Sequence, residues 1–93
     1  MSDYKQHLTI SVMLDDLVTA AGSRARVALI LGVNYMDVMR WQKGSTQPLT
    51  TKGWAIEKAW ARRDEIAQKR LQVEEFKEKN KQSVIEFWKG VLK

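Results

Sequence analysis

The chain has 93 residues, 16 Lys and Arg against 11 Asp and Glu, and a net charge of +5. That length holds one domain near the lower end of what buries its own core. The absence of cysteine excludes disulfides, thiolate metal sites and thiol nucleophiles. With one Pro and five Gly, turn punctuation is sparse, which favours long helices over short strands.

Residues 1–9 are polar and unpatterned and read as a flexible tail; no basic-then-apolar leader and no apolar run of membrane length is visible. A cytoplasmic address is the expectation. Ile10, Leu14, Leu17, Val18 and Ala21 then follow the i, i+3/i+4 spacing of one helix face, with Thr9 or Ser11 as cap and Gly22 as terminator. A short second helix starts at Ser23, carries Val27, Ala28 and Leu31 inward, and stops at Gly32. Asn34 caps a third, with Asp37 in its first turn, Val38 and Trp41 facing inward, and Gly44 at its end. Residues 44–50 are the clearest loop. Thr50 or Thr51 caps a fourth helix, whose stripe of Ala55, Ile56, Ala59, Trp60, Ile66, Ala67, Leu71 and Val73 is too long for a small core to cover. A single helix from 52 to about 79 spans ~40 Å. One bent helix and a helical hairpin both fit residues 63–93. The polar run 77–83 interrupts the stripe, and Ser83 with Glu86 has capping-box spacing before Val84, Ile85, Trp88, Val91 and Leu92.

Charge is uneven along the chain: residues 1–22 carry −2, residues 23–53 carry +4 and residues 54–93 carry +3. A polyanion is therefore drawn to the middle third. The same stretch has the mechanics of two short helices meeting across a tight turn. Ala28 is small where the helices approach, Gly32 supplies a positive φ, Val33 plugs the corner, and Val38 and Trp41 anchor the second helix.

On these residues, and on the run from Ser23 to Pro48 with Gly32-Val33-Asn34 and Arg40-Trp41-Gln42-Lys43-Gly44, the chain resembles the lambda-repressor and Cro-like (XRE-type) helix-turn-helix family over residues 10–62. The resemblance implies an all-α fold with a helix-turn-helix head at 10–62. Residues 63–93 lie outside it and read, from their own apolar pattern, as a long C-terminal helix or helical hairpin that oligomerises or binds a partner. It also implies that helix 35–43 lies in the major groove of double-stranded DNA, with Tyr35, Met36, Met39, Arg40 and Lys43 toward base edges. Ser23, Arg24, Arg26, Asn34, Gln47 and Lys52 are the matching phosphate candidates. Tyr35, Met36 and Met39 depart from the small polar or Gln residues common at those positions.

Such heads gain affinity by binding two half-sites ~34 Å apart as a homodimer. The apolar cluster Val84, Ile85, Phe87, Trp88, Val91 and Leu92 is the expected dimer surface; its competing reading is a closing helix folded back on the head. The expected function is a sequence-specific transcription regulator of the small phage or plasmid repressor type. The alternative is an antitoxin or adaptor whose segment 63–93 captures a protein. No enzyme, metal or cofactor is expected: there is one His, no Gly-rich phosphate loop and no pair of converging carboxylates. Association with a membrane surface is not expected either.

Overall fold

The computed structural model describes residues 9–74 and 81–92. They form six helices: α1 Ile10–Ala21, α2 Arg24–Leu31, α3 Tyr35–Lys43, α4 Thr50–Ala61, α5 Arg63–Glu74 and α6 Lys81–Lys89. The described residues contain no strand, so the all-α expectation is met. None of these helices is long and apolar enough to cross a membrane.

Local chemistry accounts for the first three helices. The Thr9 hydroxyl accepts from the Val12 N–H (3.4 Å), and Ser23 Oγ accepts from the Arg26 N–H (3.2 Å). Gly32 takes φ +69° and returns its N–H to the Ala28 carbonyl, which ends α2 in a conformation that costs a side-chain-bearing residue about 1–2 kcal/mol. Ser11 does not cap α1; its hydroxyl donates to the Gln42 carbonyl (2.6 Å) and ties the start of α1 to the end of α3. Asn34 occupies the N-cap position of α3 without a side-chain hydrogen bond. Its carbonyl alone serves the turn, accepting from the Asp37 and Val38 N–H groups.

Two expectations fail in the second half. Leu49, not Thr50 or Thr51, stands at the N-cap of α4, and both threonines fall inside its first turn. Ser83 lies within α6, which starts at Lys81, and so does not cap it. The long stripe is resolved by a break: α4 ends at Arg62, whose N–H folds back to the Ala59 and Trp60 carbonyls. Asp64 and Glu65 then open α5, where the helix dipole favours acids. The break lets Ile56 and Ala59 on α4, and Ile66 and Val73 on α5, all reach one core. It also removes Leu71 from that core. At ~100° per residue Leu71 lies about 140° around α5 from Ile66, and it is 68% exposed.

Helix α1 is central, with α2, α3, α4 and α5 packed on it, while α6 docks on α2. Leu14, Leu17, Val27, Val38, Ile56, Ile66, Val73 and Trp88 are the largest side chains that are wholly buried, and no described polar or charged residue is buried. Two arginines reach the C-terminal end of α1, which has no basic residue in its own last turn. Arg26 donates to the Ala21 carbonyl (3.0 Å) and Arg70 to the Thr19 carbonyl (3.2 Å). Cations supplied by α2 and α5 thus complement the α1 dipole and link those elements to it.

Candidate nucleic-acid interface

Helices α2 and α3 are joined by the three residues Gly32, Val33 and Asn34, and both pack on α1. Val38 and Trp41 are buried, which fixes the rotation of α3 about its axis. The opposite stripe follows from helical geometry. Tyr35, Met36, Met39, Arg40 and Lys43 sit at i, i+1, i+4, i+5 and i+8. Tyr35 (45%) and Met36 (46%) are exposed, Arg40 and Lys43 likewise, and Met39 is half-buried. All five base-facing candidates therefore share one face of one short helix. Asp37 approaches Arg40 at 3.9 Å, with both side chains exposed. Such a pair is worth about 0–1 kcal/mol, too little to hold the guanidinium from a better acceptor.

A polar relay not visible in the sequence pattern adds to this anchoring of α3. Gln42 Nε2 donates to Asp15 Oδ1 (2.5 Å), and Gln42 Oε1 accepts from Arg24 Nε (2.6 Å). One amide thus joins α1, α2 and α3. Its acceptor Asp15 and its donor Arg24 are 27 and 18 residues distant along the chain, so no local spacing marks it. Arg24 is held at the N-terminal end of α2, beside the Ser23 cap, where a helix end attracts an anion.

The other phosphate candidates divide. Asn34 and Gln47 are exposed. Lys52 reaches the Leu31 carbonyl (3.5 Å) and so supports the C-terminus of α2 from α4. Arg26 makes contacts within the fold. Its guanidinium lies 5.3 Å from the centre of the Trp88 ring and bonds the Ala21 carbonyl, so it belongs to the packing of α6 against α1 and α2.

The C-terminal cluster is used inside the chain. Trp88 and Val91 are buried, and Val84, Phe87 and Leu92 pack half-buried against the same core; Ile85 is also half-buried. Phe87 and Trp88 meet edge to face, with ring centres 5.4 Å apart. Arg62 donates to the Leu92 carbonyl (2.7 Å) and Lys69 to the Val91 carbonyl (2.8 Å). Glu65 pairs with both cations, at 2.6 and 3.4 Å. The Arg62 hydrogen bond, with the Lys69 contact behind it, holds the Glu65 carboxyl below its ordinary pKa, and the same bond raises that of Arg62. These contacts describe a closing helix, and they remove Trp88 and Val91 from any surface offered to a second chain.

Chemically, the α3 face offers one planar fork of donors in Arg40, a point charge in Lys43, a phenol in Tyr35 and two thioethers. Among the described residues no three His, Cys, Asp or Glu converge as metal ligands would. No family model, curated protein or solved structure matches the chain.

Proposed function

We propose that this chain is a sequence-specific regulator that binds double-stranded DNA. In this reading α2, the Gly32-Val33-Asn34 turn and α3 form a helix-turn-helix, and α3 enters the major groove. The observation that carries the reading is the shared outward stripe of Tyr35, Met36, Met39, Arg40 and Lys43 on a helix anchored by Val38 and Trp41. Arg40 pairs bidentately with guanine O6 and N7, a contact worth about 1–3 kcal/mol of discrimination. Met36 and Met39 meet thymine methyl groups. Arg24, Ser23 and the first N–H groups of α2 hold a phosphate, and the +4 balance of residues 23–53 supplies the long-range attraction.

The reading in which residues 63–93 capture another protein draws no support from α6. That helix spends Trp88, and the turn after it spends Val91, on the chain's own core. DNA reading needs no free segment there.

The test is selection from a pool of random duplexes, run for the wild type and for Arg40→Ala. An enriched motif that loses a guanine preference in the variant supports the reading. Binding without enrichment, or a motif that Arg40→Ala leaves unchanged, contradicts it.

A further inference from the structure

With the C-terminal cluster folded inward, the largest exposed apolar side chain in a described helix belongs to α4. Trp54 is 62% exposed. It shares the outer face of α4 with Thr50, Thr51, Glu57, Lys58 and Ala61, all exposed. Neither Glu57 nor Lys58 makes an ion pair among the described residues. As neighbours in sequence they do not face each other across the helix surface. Their placement is ordered nonetheless. At ~100° per residue, Trp54 and Ala61 lie within about 20° of one line along the helix. Glu57 falls about 50° to one side of that line and Lys58 about 50° to the other, at nearly the same height.

This pattern is complementary to itself in one orientation only. If two α4 helices meet face to face and antiparallel, the dyad sets Glu57 beside Glu57 and Lys58 beside Lys58. If they meet side by side and parallel, Trp54 packs on Trp54 and Ala61 on Ala61. Each Glu57 then faces Lys58 of the partner subunit, once on either flank. We infer that the outer face of α4 is a homodimer interface in this parallel arrangement, with a second copy of the chain as its occupant. A two-fold contact of this kind uses one patch twice, and Ala61 lets the helices approach closely. One aromatic and its flanking pairs make a small contact at the transient end of the range, so the dimer is weak, with a Kd on the order of 10–100 µM. The inference stands apart from the DNA reading and is tested without DNA.

The experiment is sedimentation equilibrium from about 5 to 500 µM, a span chosen to bracket that Kd. The expected result is a mass that rises with concentration from 10.8 kDa toward twice that value. Trp54→Ala should remove the rise. Glu57→Lys and Lys58→Glu, each placing like charges opposite one another, should each weaken association by at least about tenfold. The double exchange Glu57→Lys/Lys58→Glu should restore it to within about threefold of wild type. All three side chains sit on an exposed face, and unchanged helicity by circular dichroism checks that each variant folds. A wild type that stays monomeric throughout overturns the inference. So does a double exchange no better than the single ones, or association that Trp54→Ala leaves intact.

Discussion

Removal of the Trp88 side chain probes the fold-back of α6 directly. The ring is wholly buried and carries the docking of α6 on α2, with Arg26 over its face. Trp→Ala in a core costs about 3–5 kcal/mol. Against that, the Trp88 indole N–H is buried and has no acceptor among the described residues, a defect of about 1–3 kcal/mol that the substitution also removes. Trp88→Ala should therefore destabilise by about 2 kcal/mol, the difference between the middles of the two ranges. Trp88→Phe separates the two terms. It keeps an aromatic face for Arg26, deletes the unpaired donor, and gives up about 50 Å² of burial, or about 1.3 kcal/mol. Its stability should fall within about 1 kcal/mol of wild type. Urea unfolding followed by circular dichroism measures both, and a smaller m value for Trp88→Ala would show α6 detaching as a unit of its own. A Trp88→Ala cost under about 1 kcal/mol would refute the docked α6. A Trp88→Phe cost above about 2 kcal/mol would refute the claim that the N–H is unsatisfied.

Gly32→Ala should cost about 1–2 kcal/mol, because φ is +69° and the added carbon meets open space. Gly22→Ala should cost more than that in the same urea assay. A carbon there would stand 2.8 Å from Arg26 Nη1 and 3.0 Å from Arg70 Nε, displacing both cations from the end of α1; equal costs at the two glycines would contradict this. Glu65 has a lowered pKa chiefly through its Arg62 hydrogen bond. Its contribution is complete at neutral pH and is lost as pH falls through its folded value, below the ordinary carboxylate range. Glu65→Gln should accordingly flatten the fall of thermal stability below about pH 5, and an unchanged acid limb would count against the pair.

Helices whose ends are marked by short-range chemistry were readable from the chain. Thr9, Ser23, Gly22, Gly32 and Gly44 all stand at the caps their types suggest. The inward role of Val38 and Trp41, and with it the outward stripe of α3, followed from helical spacing alone. What was not readable depends on contacts distant in sequence. The break at Arg62 has no Gly or Pro to announce it; it arises because α4 and α5 must both meet α1. Leu71 left the core for the same reason, since the periodicity that included it assumed one continuous helix. Arg26 has the charge of a phosphate ligand, and only the fold places Trp88, 62 residues later in the chain, against its guanidinium. Nothing in the local pattern singles out Gln42, yet it joins Asp15 and Arg24 in a relay that helps to hold α3. The cluster at 84–92 was apolar enough for a dimer surface or a closing helix, and composition alone could not separate the two.

The proposed role of α3 as the face that meets DNA can be tested on the protein in solution. The most direct measurement is a two-dimensional amide NMR titration of the protein with a selected duplex at moderate salt. The account predicts that the largest shifts fall on residues 35–43 and on the first turn of α2 around Arg24, with α6 little affected and with contacts from Arg40 to guanine protons. Shifts confined to α4, α5 or α6, or a uniform weak response that added salt abolishes, would contradict it.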